Sequence, residues 1–329
     1  MKAVRIHAYG GPEQMRYEDV EIGSPQPGEA FVRHTAIGVN FADLHNCQGR
    51  YPLPSLPHAL GGEAVGIVEA IGPGVTQVKV GDRVAYAAGG PKFAPGSYAQ
   101  GRMFPAERLI PIPKEIDDIT AAALFTKGIT AQYLIKSVYP IQAGETILVH
   151  AAAGGVGLFI AQWAAHLGVR VIGIVSSEEK AEMAKANGCQ HVLLSNEPDI
   201  PHRVRSLTGG RGVPVVFDSV GKDTFDISLK SLRPQGLMVS YGSSSGRVPP
   251  FDIFTLNGLG SLSVTSAAFA WFVPNREELL TRASEVIDVV LRKAVKIHVC
   301  QQFVLKDAEL AHRAIESRKT IGSTVLIPE

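Results

Sequence analysis

Ala152-Ala153-Gly154-Gly155-Val156-Gly157 separates a strand-like run from a helix-like one. The residues before it, Thr146-Ile147-Leu148-Val149-His150, are short, apolar and β-branched, as expected of a parallel strand buried on both faces. Those after it, Leu158 to Leu167, read as a helix that Gly168 is placed to end. A second apolar strand, Val169 to Val175, follows at once. Strand, glycine turn, helix and strand form one βαβ unit within the roughly 30 residues that a dinucleotide fingerprint occupies. In that reading Gly154 lets the backbone approach a pyrophosphate, Gly157 lets the helix pack on its strand, and free N–H groups at the helix start hold the anion. Ala152 stands where the first glycine usually sits, so the motif is degenerate and draws its weight from the elements on both sides. A tight turn that binds nothing is the competing reading.

The chain of 329 residues exceeds one ordinary core and suits two domains. A hydrophobic share of 45% with 19% charged residues describes a folded protein, not a disordered one. The net charge of +1 makes no electrostatic case for nucleic acid. Met1 to His7 lack the apolar core of a signal peptide, and His150, Gln162, His166 and Arg170 interrupt the best candidate for a membrane span. Cys47, Cys189 and Cys300 form no pair spacing, which points to a reducing compartment and a cytoplasmic protein.

The first hundred residues carry short alternating apolar runs, such as Glu29 to Val39 and Gly62 to Gly72, punctuated by turn signals such as Gly72-Pro73-Gly74. They predict a β-rich domain. Near Asp117 the character changes to helix, over Ile119 to Leu124 and Thr130 to Ile135 with Gly128 between them. Beyond the βαβ unit, Ser176 and Glu179 have capping-box spacing, and Gly188 is placed to end the helix they open. Further strands fit His191–Leu194, Val213–Asp218 and Gly236–Gly242, and the series is expected to stop at about Val264. An amphipathic helix from Arg276 to Lys293, a strand over Val295–Val299, a helix over Ala308–Ser317 and a last strand over Ser323–Ile327 complete the expectation. The tail is expected to return to the amino-terminal domain.

Taken in order, Ala8-Tyr9-Gly10-Gly11-Pro12-Glu13, Val39-Asn40-Phe41-Ala42-Asp43, the glycine turn with His150 and Ala151 before it, Asp218-Ser219-Val220-Gly221, Gly242-Ser243-Ser244-Ser245-Gly246 and Glu316-Ser317-Arg318 resemble the zinc-independent medium-chain dehydrogenases/reductases, in their quinone oxidoreductase, zeta-crystallin-like branch. The resemblance covers nearly the whole chain. It implies an α/β fold in which a Rossmann doubly wound parallel sheet accompanies a GroES-like β-rich catalytic domain, with a cleft between them. The expected division is a catalytic part over residues 1–118, an NADPH-binding domain over 119–263, and a return to the catalytic domain over 264–329. NADPH-dependent reduction of quinones by a homodimer or homotetramer is implied as well.

Zinc-using relatives carry a cysteine where Asn40 stands and a histidine where Gly62 stands. Asn40 and glycine are not zinc ligands, and three cysteines cannot form a four-cysteine lobe. Cys47 with His45 or His58 has no conventional ligand spacing. The expected hydride acceptor therefore needs no Lewis acid, and a quinone fits because its conjugated carbonyls form a delocalised hydroquinone anion.

An NAD-selective site normally places Asp or Glu near the end of the second strand. Here Val175-Ser176-Ser177-Glu178-Glu179-Lys180 puts hydroxyls at that end and a cation after them, an environment suited to a 2′-phosphate. The resemblance implies that Lys180 and Arg318 contact this phosphate; a helix-surface lysine and a rim arginine are the plainer reading. Ser195 replaces a tyrosine common in close relatives, and Glu178 and Glu179 weigh against an anion. NADPH is the expected cofactor, with Ala153, Gly154, Gly155 and Val156 at the turn, Ser176, Lys180, Ser195 and Arg318 at the phosphate end, and Asn40, Thr130, Tyr241, Gly242 and Ser243 also facing it.

Asn40 is expected near nicotinamide and substrate, Tyr51 as a stacking and hydrogen-bonding wall, and His45 as a proton relay. An asparagine satisfying loop backbone, a packing tyrosine and a merely polar histidine are their competing roles. Protein groups supply orientation and a dry pocket while the cofactor carries the chemistry. Two other functions fit the same sequence: reduction of activated alkenes such as 2-alkenals or enoyl thioesters, and non-enzymatic NADPH binding as in a crystallin or an RNA-binding protein.

Overall fold

Residues with unbroken apolar runs become the interior of a parallel sheet. In the computed structural model, which describes residues 1–87 and 96–329, Thr146–His150 is flanked by Arg170–Val175 on one side and Val213–Asp218 on the other. The six-stranded order is Cys189–Leu194, Arg170–Val175, Thr146–His150, Val213–Asp218, Leu232–Ser240, Ser263–Ser266, and every neighbouring pair is parallel. Ile147, Leu148, Val149, Val215, Val216 and Phe217 are completely buried, as strands covered on both faces require. The sequence order reverses at Thr146–His150, which is the doubly wound arrangement with its switch point between that strand and Val213–Asp218.

The helix Gly155–His166 begins directly after the glycine turn, with Gly154 as its N-cap. A Cβ on Gly157 would lie 2.3 Å from the Ala151 carbonyl oxygen and 2.8 Å from Ala152 Cα, so only glycine lets the helix seat on this turn. Gly168 ends the helix at φ 77° and Gly188 ends the next one at φ 101°. These residues belong to a compact unit formed by Thr130–Trp271 and Arg292–Lys296.

The other unit comprises Met1–Ile129, Phe272–Leu291 and Ile297–Glu329. Its long strand Glu29–Val39 pairs antiparallel with Glu63–Ile71, Gly101–Pro105 and the carboxy-terminal strand Ser323–Ile327. A three-stranded sheet of Met15–Asp19, Lys2–Ile6 and His58–Ala59 adds to it. One core gathers Val4, Ile6, Val32, Ile37, Tyr86, Tyr98, Phe104 and Leu326 from both sheets.

Several expectations need correction. A further strand not among those expected, Ser263–Ser266, pairs parallel with Leu232–Ser240. Gly128 lies inside the helix Phe125–Tyr133 instead of separating two helices. The strand expected at Val295–Val299 forms at Val299–Val304. Lys296 N–H instead donates to Gln162 Oε1 (2.9 Å) and its carbonyl accepts from Gln162 Nε2 (3.1 Å), so a side chain satisfies that backbone in place of a strand. The cap of the helix Glu178–Ala186 is Ser177 and not Ser176.

Candidate active site

Ala153 to Val156, Ser176, Lys180, Ser195 and Tyr241 to Ser243 all follow carboxyl ends of parallel strands, the end at which open α/β sheets bind ligands. The turn is tight: Gly154 N–H donates to the Ala151 carbonyl (2.9 Å) and Ala151 sits at φ 51°. Gly155 and Val156 form the first turn of their helix, where backbone N–H groups have no intrahelical acceptor. Because Ser177 takes the capping role, the exposed Ser176 hydroxyl accepts from Lys180 Nζ at 3.1 Å. Partial burial lowers the Lys180 ammonium below its ordinary range, an environment that favours an added anion. No carboxylate stands at the end of Arg170–Val175; Glu178 and Glu179 point from the first turn of the following helix as exposed residues. Ser195 is exposed and gives its N–H to Val175 O (2.7 Å), while Thr130 is buried in Phe125–Tyr133.

At the switch point lies a buried network that the sequence did not single out as a site. Asp218 is fully buried at the end of its strand. Its Oδ1 accepts from the N–H groups of Val220 (2.7 Å) and Gly221 (3.0 Å), and its Oδ2 from the hydroxyls of Thr224 (2.7 Å) and Ser228 (2.7 Å). The Ser228 oxygen in turn accepts from His150 Nε2 at 3.0 Å. Burial lowers the His150 pKa, and because the Ser228 hydroxyl hydrogen goes to Asp218, the ring meets that oxygen through an Nε2–H. The network fixes the loop that Gly242 packs against, where a Cβ would come within 2.8 Å of Ser219 O.

In the other unit, the chain turns at Asn40 from the strand Glu29–Val39 into the helix Phe41–Cys47. Asn40 N–H donates to Asp43 Oδ2 (2.9 Å), which orders the helix start. Its side chain joins two residues absent from the sequence-based candidates. Asn40 Nδ2 donates to Glu63 Oε2 at 3.0 Å, and Lys127 Nζ donates to Asn40 Oδ1 at 2.9 Å. Glu63 is wholly buried and Lys127 nearly so, with 3.7 Å between their charged atoms. One signal for Lys127 is present in the sequence: it is the sole charged residue between Asp118 and Lys136.

His45 is buried and packs edge-on against both Phe41, at 5.2 Å, and Tyr51, at 4.9 Å. Tyr51 is exposed, with its backbone held by His45 O and Asn46 Nδ2. Arg318 is exposed after the carboxy-terminal helix Ala308–Glu316, at φ 56°. Asn40, His45 and Tyr51 are thus brought to one helix and the loop that follows it. Zinc does not fit around Asn40: one carboxylate and one amide face an ammonium that already supplies positive charge. Among the described residues no group of three or more His, Cys, Asp or Glu side chains is arranged to hold a metal ion.

Residues 26–114 match the family described as alcohol dehydrogenase GroES-like domain, and residues 155–285 that described as zinc-binding dehydrogenase. A quinone oxidoreductase of Pseudomonas aeruginosa is 45% identical over 327 residues, covering 99% of both chains. A 2-haloacrylate reductase of Burkholderia sp. is 43% identical over 334 residues, again with 99% of each covered. The crystal structure of Escherichia coli quinone oxidoreductase complexed with NADPH superposes with a TM-score of 0.97, at 42% identity and full coverage of both chains.

Proposed function

Since the chain belongs to the medium-chain dehydrogenase/reductase family, in its quinone oxidoreductase branch, we propose that it is an NADPH:quinone oxidoreductase that works without zinc. The single observation that carries the cofactor choice is the Ser176–Lys180 pair at a strand end that lacks a carboxylate. Ser176, Lys180, Ser195 and Arg318 serve the phosphate end, Ala153 to Val156 the pyrophosphate, and Asn40, Thr130 and Tyr241 to Ser243 the remainder. When bound, the reduced nicotinamide supplies the hydride. Asn40 orients the acceptor's carbonyl oxygen, Tyr51 offers an aromatic face and a hydroxyl, and His45, edge-on to Tyr51, serves as the proton relay. Residues 1–118 and 264–329 form the catalytic part and 119–263 the nucleotide part in this reading, with the compact units dividing at Ile129 and Trp271.

The 2-haloacrylate reductase at nearly equal identity favours activated alkenes as a second acceptor class. Initial rates of NADPH oxidation with naphthoquinone, phenanthrenequinone, crotonyl thioester and 2-chloroacrylate decide between the two. Quinone turnover well above alkene turnover is expected, and the reverse ranking would replace the proposal. In the same assay Lys180→Ala is expected to raise KM for NADPH by about 10-fold or more and leave that for NADH nearly unchanged, since only the phosphate loses a charged partner. Equal losses for both cofactors would remove Lys180 from the phosphate site.

The reading extends to a cytoplasmic homodimer. The three cysteines are unpaired, as in a reducing compartment. Among the described residues no helix is long and apolar enough to cross a membrane. Ser263–Ser266 is an edge strand with a partner on one side only among the described residues, and Ile253, Phe254 and Trp271 stand 70%, 73% and 81% exposed in the same unit. Sedimentation equilibrium is expected to return about twice the chain mass of 35.1 kDa. A monomer at micromolar concentration would contradict it.

A further inference from the structure

An asparagine amide has two N–H donors and two carbonyl lone pairs. In Asn40 one donor is taken by Glu63 and one lone pair by Lys127. These partners carry opposite charges, so the amide has one favourable orientation. Rotated by half a turn, it would set its NH2 group against the ammonium of the buried Lys127 and its carbonyl against the carboxylate of the buried Glu63. Both partners are themselves held. Glu63 Oε1 accepts the Thr126 N–H at 2.8 Å, and Lys127 Nζ also reaches the Val39 carbonyl at 3.4 Å. Gly38 makes room for the carboxylate, since a Cβ there would lie 2.7 Å from Glu63 Oε2 and 2.1 Å from the Ala122 carbonyl oxygen.

We infer that Glu63 and Lys127 are positioning residues that hold the Asn40 amide in a single orientation and polarise it, leaving its second N–H as the donor to the acceptor's carbonyl oxygen. The inference rests on the reading of Asn40 as an active-site residue. A cation on Oδ1 withdraws electron density from the amide and strengthens the remaining N–H as a donor. That strengthening matters most when the bonded oxygen gains charge. The acceptor takes two electrons and one proton as hydride while NADPH becomes NADP⁺. The hydride forms the O–H bond at one quinone oxygen, the conjugated π pairs shift through the ring, and the π pair of the opposite carbonyl moves onto that carbonyl's oxygen, giving the hydroquinone monoanion; one solvent proton on that oxygen completes the hydroquinone. The N–H of Asn40 bonds that oxygen throughout and transfers no proton.

The test uses the full chain with NADPH and naphthoquinone, comparing Lys127→Met, Lys127→Arg, Asn40→Ala and the Asn40→Ala/Lys127→Met double variant. Lys127→Met is expected to lower kcat by about 10- to 100-fold, with NADPH affinity by fluorescence titration held within about twofold. Lys127→Arg keeps a donor and recovers part of the loss. The double variant is expected to be no slower than Asn40→Ala, because Lys127 acts only through that amide. In the wild type the two Asn40 side-chain amide protons give separate, slowly interchanging resonances, and Lys127→Met speeds their interchange. Losses that multiply in the double variant overturn the inference, as does wild-type kcat in Lys127→Met. Fast amide interchange in a wild type that reduces naphthoquinone overturns the clamp alone. Slow interchange in a wild type that binds NADPH and reduces no quinone overturns the functional reading and upholds the clamp.

Discussion

Asp218→Ala is expected to destabilise the Thr130–Trp271 unit by about 4 kcal/mol, among the largest single-residue effects in the chain. The carboxylate accepts from two backbone N–H groups and two hydroxyls in a site without solvent. Alanine removes the acceptor from all four donors, leaving the Thr224 hydroxyl only the Gly221 carbonyl at 3.3 Å, and each buried orphan costs roughly 1–3 kcal/mol before the loop relaxes. Asp218→Asn keeps one acceptor oxygen and turns an NH2 toward donors, so an intermediate loss is expected. Both tryptophans of the chain, Trp163 and Trp271, lie in this unit, so their fluorescence during urea unfolding reports on it selectively. A midpoint within error of wild type for Asp218→Ala would show that the network contributes little. Since the same bonds set the loop Ser219 to Thr224, NADPH affinity is expected to fall in both variants.

Acid is expected to weaken the other unit, and Asp43→Asn to steepen that weakening. His34 donates from Nδ1 to Ala99 O (2.7 Å) and accepts at Nε2 from the Tyr86 hydroxyl (2.9 Å), a pattern that suits only the neutral ring. Burial pushes its pKa down to about 3, with Arg102 and Arg33 adding to the effect. Burial does the same to His312, to about 3, where Nε2 lies 2.9 Å from the Tyr98 hydroxyl oxygen. Unfolded histidine titrates near about 6.5. Between that value and 3 the unfolded chain binds protons that the folded one refuses, so stability falls with acid by about 1.4 kcal/mol per pH unit for each ring.

Asp43 works in the opposite sense. Burial raises its carboxyl to about 7, against the pull of the Asn40 N–H and the Tyr98 hydroxyl, which donates to Oδ2 at 3.1 Å. From pH 7 down to about 4 the folded state keeps a proton that the unfolded state releases, so this group adds stability as pH falls. Two histidines against one acid leave a net loss of about 1.4 kcal/mol per unit from pH 6 to 4. Removing the acid should roughly double that slope, to about 2.8 kcal/mol per unit, and make the variant the more stable protein above pH 7. Urea unfolding followed by circular dichroism across this range gives the slopes directly. Parallel wild-type and Asp43→Asn lines would mean that Asp43 ionises normally.

Much of the fold is legible because burial on two faces demands continuous apolar residues. Glu29–Val39, Thr146–His150, Val213–Asp218 and Ser323–Ile327 form with the bounds that their patterns indicate. Val299–Val304 was missed because it carries Cys300, Gln301 and Gln302 at a sheet edge, where one side needs no apolar surface. Val295, by contrast, is buried in a loop without pairing in a sheet. Ser177 displaced Ser176 as helix cap because capping depends on which hydroxyl reaches the N–H of Lys180, here Ser177 Oγ at 3.4 Å. Two adjacent serines look alike in one dimension.

The alternation of apolar runs and glycines along the chain by itself determined the parallel sheet, the turn at Ala153 to Val156 and the start of the helix beyond it. Those features are local: each rests on the burial or backbone freedom of consecutive residues. It took the folded chain to bring residues 40, 63 and 127 into one hydrogen-bonded network, and to gather around Asp218 the donors of its own loop with Ser228 and, through it, His150. Charges far apart in sequence become partners only when strand pairing and helix packing exclude water around them, and no spacing along the chain records that exclusion.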